Sequence, residues 1–367
     1  MNNISNIANA SALLPIRGTA YVPVPSDDAL TPPQKYFDTD FTNSDFPLLW
    51  GKANGGRGDL SNFVNDLNIN FVHLYDWSVP PAPGQQPGEY QRSHIAFLDE
   101  CASLNIKVFV PVSNYFLQQL HAGKNITAFI TAMVAEIYQG TTTPHRAAGI
   151  WGIGNEFDFE NGYTIADVAK MIQLLINAEK SLNIPASALL PITAPVSFAD
   201  PTGKRIPGII AIQQLQAALI SIGLESVWNT RFIASMNPQN EGFFIANYID
   251  NTFPTFFPNL PFFFAEMGVP IKQDSPVKTE EDQAAFVLSQ LENSKPRNNF
   301  LGACVFQFLN QTLLKEGSEC TFGMNKYSGK FTTGTIPPNY IPGGGQTYNV
   351  DELVQKPMYA EVKEGFK

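Results

Sequence analysis

Cysteine, histidine and charged residues are all scarce in this chain. Its 367 residues include three cysteines and four histidines, and only 15% of them are charged. Cys101, Cys304 and Cys320 lie far apart, with no C-x-x-C pair and no His/Cys spacing, so the sequence predicts neither a disulfide framework nor a zinc site. We expect these three side chains to be structural thiols.

Positive charge is also in short supply. The chain has 23 Lys and Arg residues against 33 Asp and Glu residues, which gives a net charge of −10 at pH 7. It contains no basic cluster that would follow a phosphate backbone. We therefore expect neither nucleic acid nor anionic membranes as partners. No run of about 18 apolar residues occurs either, so no membrane span is predicted.

The first residues, 1–15, lack the basic stretch and apolar segment of a secretory signal peptide. As encoded, the protein is therefore expected in the cytoplasm. Export by a route that needs no signal peptide is the alternative. We expect the protein to act as a monomer.

Apolar runs and amphipathic stretches alternate eight times between residues 16 and 310. Short apolar runs joined by connections of helical length favour parallel strands with right-handed crossovers. Eight such units close into an α/β fold, the (β/α)8 or TIM barrel. The predicted strands are residues 16–23, 69–77, 106–115, 147–155, 189–197, 231–237, 260–268 and 300–308. The predicted helices include residues 59–67, 90–104, 125–138, 165–182, 209–222 and 279–293.

A doubly wound open sheet is the alternative fold for the same alternation. Such sheets often carry Gly-x-Gly-x-x-Gly or a phosphate loop after the first strand. Neither motif occurs here. The glycine-rich residues 54–59 lack the flanking strand and the Gly-Lys-Ser/Thr of a phosphate loop, and we interpret them as an ordinary loop.

One domain accounts for most of the chain, because (β/α)8 barrels commonly reach this length with insertions. We predict an N-terminal lead-in at residues 1–15, a catalytic barrel at residues 16–315 and a C-terminal extension at residues 316–367. The extension is rich in Gly, Pro, Thr and Tyr. This composition predicts loops or a small hairpin packed on the barrel.

Two glutamates stand where predicted strands end. Glu156 follows the fourth strand and Glu266 ends the seventh, so both project from the rim that carries the active site in this fold. Taken alone, Glu156 is equally well explained as an acid in the first turn of a helix. Burial of two carboxylates costs free energy unless they are paired or used. Two carboxyl groups about 5 Å apart suit retaining glycoside hydrolysis, with one as acid/base and the other as nucleophile.

Other side chains at the predicted strand ends suit the binding of a sugar. Tyr75, Trp77 and Tyr115 would offer aromatic faces to the C–H side of a pyranose, and packing in the core is the alternative for each. Asp158 and Glu160 are either subsite contacts or helix-capping acids. Polar candidates for binding hydroxyl groups are Asp76, Asn114, Ser197, Asn237, Gln239, Asn240 and Gln307.

The four histidines are given structural roles. His73 lies inside an apolar strand, which favours a core histidine, although its place before Tyr75 would also let it support Glu266 from below. His94, His121 and His145 are interpreted as surface or loop residues.

Two of these segments resemble a known family. Gly154-Asn155-Glu156 and residues 263–268, FFAEMG, are similar to the corresponding segments of clan A of the glycoside hydrolases, which are retaining (β/α)8 enzymes. Within the clan, the chain most resembles the β-1,3-glucanosyltransferases and β-1,3-glucanases. RGTAYVP at residues 17–23, LYD at residues 74–76 and VFQF at residues 305–308 resemble the family's first, second and eighth strands.

The resemblance implies a role for three residues. Glu156 would be the general acid/base, Glu266 the nucleophile and Asn155 a hydrogen-bond partner of the sugar 2-hydroxyl. Such chemistry needs no metal or organic cofactor. We predict a retaining β-glycoside hydrolase or transglycosylase whose partner is an oligo- or polysaccharide, with β-1,3-glucan favoured among the β-glucans.

The sequence departs from the family at several positions. His73 stands where many clan members have Arg, Val22 where the glucanosyltransferases tend to have Gln, and Met267 where an aromatic residue is common. The Trp that often ends the eighth strand and the cysteine-rich carbohydrate-binding module of some members are missing. These departures favour, as the alternative, a barrel that binds carbohydrate without turnover. An aldolase or lyase is disfavoured, because no strand-end lysine or metal cluster appears.

Overall fold

The architecture is seen in a computed structural model of the chain. It describes residue 7 and residues 9–26, 47–77, 93–159, 161–198, 206–311, 315–336 and 345–367. The predicted role of Glu160 falls outside these residues. Within them, no helix is both long enough and apolar enough to cross a membrane.

Nine short parallel strands form a single sheet that closes on itself. Ala194 interrupts one strand, so that β5 pairs with β4 while β6 pairs with β7, and Ile192 of β5 also bridges to Phe232. Because β5 and β6 are two halves of one strand, the sheet is an eight-stranded barrel, and the predicted (β/α)8 fold is confirmed. The strands are β1 Ile16–Ala20, β2 Phe71–His73, β3 Lys107–Val112, β4 Ala148–Ile153, β5 Ile192–Thr193, β6 Pro195–Val196, β7 Ala234–Met236, β8 Phe262–Met267 and β9 Phe300–Val305.

Side chains from nearly every strand fill the inside of the barrel. Phe71, Phe109, Ile150, Phe263 and Leu301 belong to one buried apolar cluster, and each comes from a different strand. Both faces of such strands are buried, which explains why they are apolar almost throughout. A second, larger apolar cluster lies between the sheet and the helices around it.

The helices follow the predicted positions, with additions. Two of them, α6 and α11, begin with capping boxes in which Thr164 pairs with Asp167 and Thr279 with Asp282. A π-helical turn separates α9 from α10. The helices are α1 Pro47–Trp50, α2 Asp59–Asn65, α3 Ile95–Ser103, α4 Asn114–His121, α5 Thr127–Tyr138, α6 Ile165–Ser181, α7 Pro207–Ser221, α8 Glu225–Arg231, α9 Gly242–Asn247, α10 Phe253–Phe256, α11 Glu280–Asn293 and α12 Pro357–Gly365.

All eight predicted strands extend beyond the observed ones, and two of them overlap a helix. The third was extended to Tyr115, but β3 ends at Val112 and α4 starts at Asn114. The sixth was predicted to start at Arg231, which instead ends α8. There its guanidinium forms a buried ion pair with Glu179, at 2.7 Å between Arg231 Nη1 and Glu179 Oε2.

Beyond β9, the chain adds an antiparallel pair of strands and a last helix to the barrel. Strands β10 Asn325–Thr335 and β11 Thr347–Gln355 pair with each other, and α12 packs against α11. Lys356 Nζ donates to Gln283 Oε1 at 2.6 Å and to the Thr321 carbonyl at 2.8 Å, which ties β11 to α11. The domain boundaries at residues 15 and 315 stay a prediction.

Candidate active site

The two predicted glutamates line one cavity at the mouth of the barrel. Glu156 follows β4 and Glu266 lies near the end of β8. The cavity has a volume of about 340 Å³. Both carboxyl groups therefore face a space in which a small polar ligand fits.

Glu266 is partly buried and accepts two hydrogen bonds. The Tyr75 hydroxyl donates to Glu266 Oε1 at 2.8 Å, and Asn155 Nδ2 donates to the same oxygen at 2.9 Å. Burial and the negative charge of Glu156 raise the pKa of Glu266 to about 8, while these two donors act in the opposite direction. The protonation state of Glu266 therefore depends on its burial, on the charge of Glu156 and on the two hydrogen-bond donors.

Glu156 lies in a backbone conformation that is unusual for a residue with a side chain. Its φ is +52°, in the left-handed region, which costs about 1 kcal/mol or more. The Asn161 side-chain amide and the Phe159 backbone N–H donate to the Glu156 carbonyl at 2.8 and 3.0 Å. Burial raises the pKa of the Glu156 carboxyl group, and the charge of Asp158 adds to this.

Asn155 connects the two carboxyl groups. Besides its bond to Glu266, its Oδ1 accepts from Asn237 Nδ2 at 3.1 Å, and Asn237 Nδ2 also donates to Glu156 Oε1 at 3.2 Å. The Asn155 backbone N–H donates to Asn114 Oδ1 at 2.8 Å, and the Tyr163 hydroxyl donates to the same oxygen. A continuous set of amide groups therefore fixes the distance between the two glutamates.

Gly154 makes this arrangement possible. Its φ is +65°, and a Cβ at this position would lie 2.5 Å from Leu117 Cδ1 and 3.0 Å from Asn114 Oδ1. Only glycine, which has no Cβ, fits both the left-handed backbone conformation and the small space at this position. The chain can therefore turn sharply between β4 and the acid.

His73 supports the site from inside the barrel. It is buried, its Nδ1 lies 2.9 Å from the Ala265 carbonyl oxygen, and its ring stacks on Tyr75 with the centroids 4.6 Å apart. Burial lowers the pKa of His73 to about 4, so the ring is neutral near pH 7 and its Nδ1–H donates to the carbonyl. His73 is therefore a core histidine that also lies beneath Glu266, where it contacts Ala265 and Tyr75.

Most of the predicted binding residues lie around the cavity. Tyr75, Asp76, Asn114 and Tyr115 line it together with Asn155. Asn237 contacts Glu156 and lines an adjoining cavity. Tyr115 reaches the cavity from the first turn of α4 instead of from a strand.

Two of the predicted binding residues do not line this cavity. Trp77 is only 1% exposed, its Nε1 donates to Glu136 Oε2 at 2.9 Å, and its ring stacks on His94 at 4.0 Å. This pairing also buries His94, which we expected at the surface. Gln307 is 1% exposed and does not line the cavity. Both side chains belong to the core.

Asp158 has a structural role that sequence reasoning did not find. Its carboxylate accepts from the Ser197 backbone N–H at 2.8 Å and from the Ser197 hydroxyl. The predicted binding residue Ser197 thus anchors the loop after Glu156 to the end of β6. Neither residue lines the cavity that holds both glutamates.

One part of the cavity lining was not predicted from the sequence. Phe306 after β9 lines it, as do Lys315, Glu319 and Phe322 from the chain that follows. The positive charge of Lys315 lowers the pKa of both Glu156 and Glu266, whereas the charge of Glu319 raises that of Glu156. The start of the C-terminal extension therefore contributes to the site.

Comparison with known proteins identifies the fold. No known family's sequence profile matches the chain, and neither does any curated protein sequence. Among solved structures, the chain is similar to a GH2 β-galacturonidase from Eisenbergiella tayi bound to galacturonate, with a TM-score of 0.51 and 14% identity over 96% of this chain and 51% of that one. It is also similar to a mutant of Saccharomyces cerevisiae Gas2p in complex with laminaritetraose and laminaripentaose, with a TM-score of 0.52 and 11% identity over 96% of this chain and 63% of that one.

These similarities are structural, because the sequences share so few identical residues. They show that the chain shares the barrel fold of these two solved structures. The chain spans between 51% and 63% of the length of the two solved chains. Its activity and substrate therefore have to be argued from its own site.

Proposed function

We propose that the protein is a retaining β-glycoside hydrolase or transglycosylase that acts on a β-glucan. The observation that carries the proposal is the pair Glu156 and Glu266 in one cavity at the barrel mouth, connected through Asn155. Retaining glycosidases need two carboxyl groups on opposite sides of the scissile bond, and one of them must become a nucleophile.

In the first step, a Glu266 carboxylate oxygen attacks the anomeric carbon while Glu156 gives its proton to the glycosidic oxygen. The bond between that oxygen and the anomeric carbon breaks, and the leaving group departs as an alcohol. In the second step, Glu156 takes a proton from water or from an acceptor hydroxyl, whose oxygen attacks the same carbon. Glu266 then leaves as a carboxylate.

Hydrogen bonding supports these roles for the two acids. Burial raises the pKa of both acids, and the negative charge of Glu156 contributes to the value of about 8 for Glu266. When Glu156 holds a proton, this repulsion is absent, and Glu266 ionises at a lower pH. Among the described residues, Glu266 accepts two side-chain hydrogen bonds that stabilise its charge, whereas Glu156 accepts one, from Asn237. A proton held by the pair therefore favours Glu156, which suits a general acid.

The choice of sugar rests on the resemblance to the β-1,3-glucanosyltransferases and β-1,3-glucanases. Asn155, beside Glu266, is in place to bond a 2-hydroxyl, and Asp76 and Asn114 add polar groups to the same cavity. Similarity to Gas2p in complex with laminari-oligosaccharides supports a β-1,3-linked substrate. Binding of carbohydrate without turnover is the alternative, and it is motivated by His73, Val22 and Met267.

The proposal is tested by incubating the protein with laminari-oligosaccharides and analysing the products. E156Q and E266Q should each lower turnover by at least roughly 10³-fold, while the matched variant E352Q, at an exposed glutamate on β11, should keep wild-type activity. Products longer than the substrate indicate transfer, and shorter ones indicate hydrolysis. Full activity in both site variants would refute the proposal, and saccharide binding without any product would establish the alternative.

A further inference from the structure

A second cavity adjoins the first on the far side of Glu156. It has a volume of about 480 Å³, and it shares Glu156 and Gln239 with the first cavity. Glu266 lines only the first cavity. Because the nucleophile must reach the sugar and the acid must reach the leaving group, a bound glycoside would place its sugar in the first cavity and its leaving group in the second.

Seven of the fifteen described residues around this second cavity are apolar, and the other eight are polar or charged. Phe159, one residue after Asp158, is 53% exposed, and Phe286 of α11 lies half-buried. The apolar part of the wall is completed by Phe198, Val269, Pro270, Pro276 and Val277. Large apolar side chains grouped in an open cavity mark a binding surface more often than a lone exposed residue does.

One polar atom in this wall has no hydrogen-bond partner among the residues that the structure describes. Asn237 is 7% exposed, and its Nδ2 atom already donates to Glu156 and Asn155. Its Oδ1 atom is buried and, among the described residues, accepts no hydrogen bond. A buried acceptor without a partner costs free energy, which a hydroxyl group of a bound molecule would recover.

We propose that the second cavity binds the leaving group through an apolar face against Phe159 and Phe286, with one hydroxyl group donating to Asn237 Oδ1. The inference rests on the proposed function and adds the chemical class of the group beyond the scissile bond. Glu156 gives its proton to the glycosidic oxygen, and the departing alcohol remains in this cavity. The same surface would receive an acceptor alcohol in the reverse step. Its apolar face would come from an alkyl or aryl group, or from the C–H side of a second sugar ring.

A series of alkyl β-glucosides tests the apolar contact without changing the leaving-group chemistry. We expect kcat/KM to rise from the methyl to the butyl, hexyl and octyl glucoside, by up to roughly fourfold for each methylene that becomes buried. F159A should flatten this dependence, because it should lower kcat/KM for the octyl glucoside by more than for the methyl glucoside. F256A removes an exposed phenylalanine of α10 that does not line the cavity, and it should retain the wild-type series. All substrates are used below their micelle concentrations.

The outcomes separate this inference from the proposed function. If kcat/KM does not depend on chain length, or if F159A lowers it equally for every alkyl group, the apolar leaving-group site is refuted although the enzyme is active. If neither the glucosides nor laminari-oligosaccharides give any product, the proposed function and this inference fail together. A β-1,3-linked glucose disaccharide is the second substrate to compare. If F159A lowers kcat/KM for the disaccharide as much as for the octyl glucoside, the site binds a sugar ring. If F159A lowers kcat/KM for the octyl glucoside alone, the site binds an alkyl or aryl group.

Discussion

Removing the Tyr75 hydroxyl should change the protonation of Glu266. In Y75F, the carboxylate loses the donor at 2.8 Å and keeps only Asn155. A hydrogen bond to a charged group contributes about 1.5–3 kcal/mol, and about 1.4 kcal/mol corresponds to a tenfold change in an equilibrium constant. The pKa of Glu266 should therefore rise by roughly 1 to 2 in the variant.

The sign of the effect on activity follows from the role of the group. A nucleophile must be ionised, so activity is lost as the pH falls through its pKa. A higher pKa moves this acidic limb of the kcat/KM profile to higher pH, by roughly 1 to 2 pH units, and lowers kcat/KM on that limb by roughly 10- to 100-fold. The measurement is kcat/KM against pH for wild type and Y75F with one substrate.

A second buried tyrosine serves as the control. Tyr138 donates to the Ala188 carbonyl at 3.0 Å, away from the cavity, so Y138F removes a comparable hydroxyl without touching either glutamate. It should leave the pH profile unchanged even if it lowers the melting temperature. If the acidic limb of the kcat/KM profile lies at the same pH in wild type, Y75F and Y138F, the assignment of Glu266 as the ionised nucleophile is refuted.

Three further predictions concern stability. The pKa of Glu266 is raised in the folded protein, so its contribution to the free energy of unfolding is lost as the pH rises through about 4.5 to 8. E266Q should therefore raise the melting temperature by more at pH 8 than at pH 4. E179Q weakens the buried ion pair with Arg231, and it should cost about 3 kcal/mol in the free energy of unfolding. G152A places a Cβ 1.8 Å from the Phe109 ring and should reduce the yield of folded protein.

Each of these stability predictions has a result that contradicts it. A melting-temperature difference between E266Q and wild type that is independent of pH would remove Glu266 as a buried acid. E352Q, at an exposed glutamate, should leave the unfolding free energy within about 0.5 kcal/mol of wild type, and an E179Q variant as stable as that control would show that the ion pair contributes little. Wild-type yield and melting temperature for G152A would show that Phe109 has room to move.

The barrel was predictable because its strands have a simple physical signature. Strands buried on both faces need apolar side chains at nearly every position, so β4, β8 and β9 stand out in the sequence as short apolar runs. The acids at their ends then fall on one rim by topology alone. Glu156 and Glu266 could be paired in this way before any distance was known.

Other features depend on contacts that local patterns do not contain. The apolar run of β3 continues into α4 through Phe116 and Leu117, so periodicity alone does not mark the boundary at Asn114. Trp77 is drawn into the core by Glu136, a residue 59 positions away in the sequence. The cavity is also lined by Lys315, Glu319 and Phe322, which come from the chain after β9, and no local pattern in the sequence predicts this contact.

Trapping the covalent intermediate tests the assignment of the nucleophile most directly. A 2-deoxy-2-fluoro-β-glucosyl fluoride slows the second step more than the first, so the sugar should remain esterified to the enzyme long enough for peptide mass spectrometry. We expect one adduct per chain, on Glu266, and none in E266Q. An adduct on another residue, or a product with inverted anomeric configuration and no adduct at all, would contradict the double-displacement mechanism at this site.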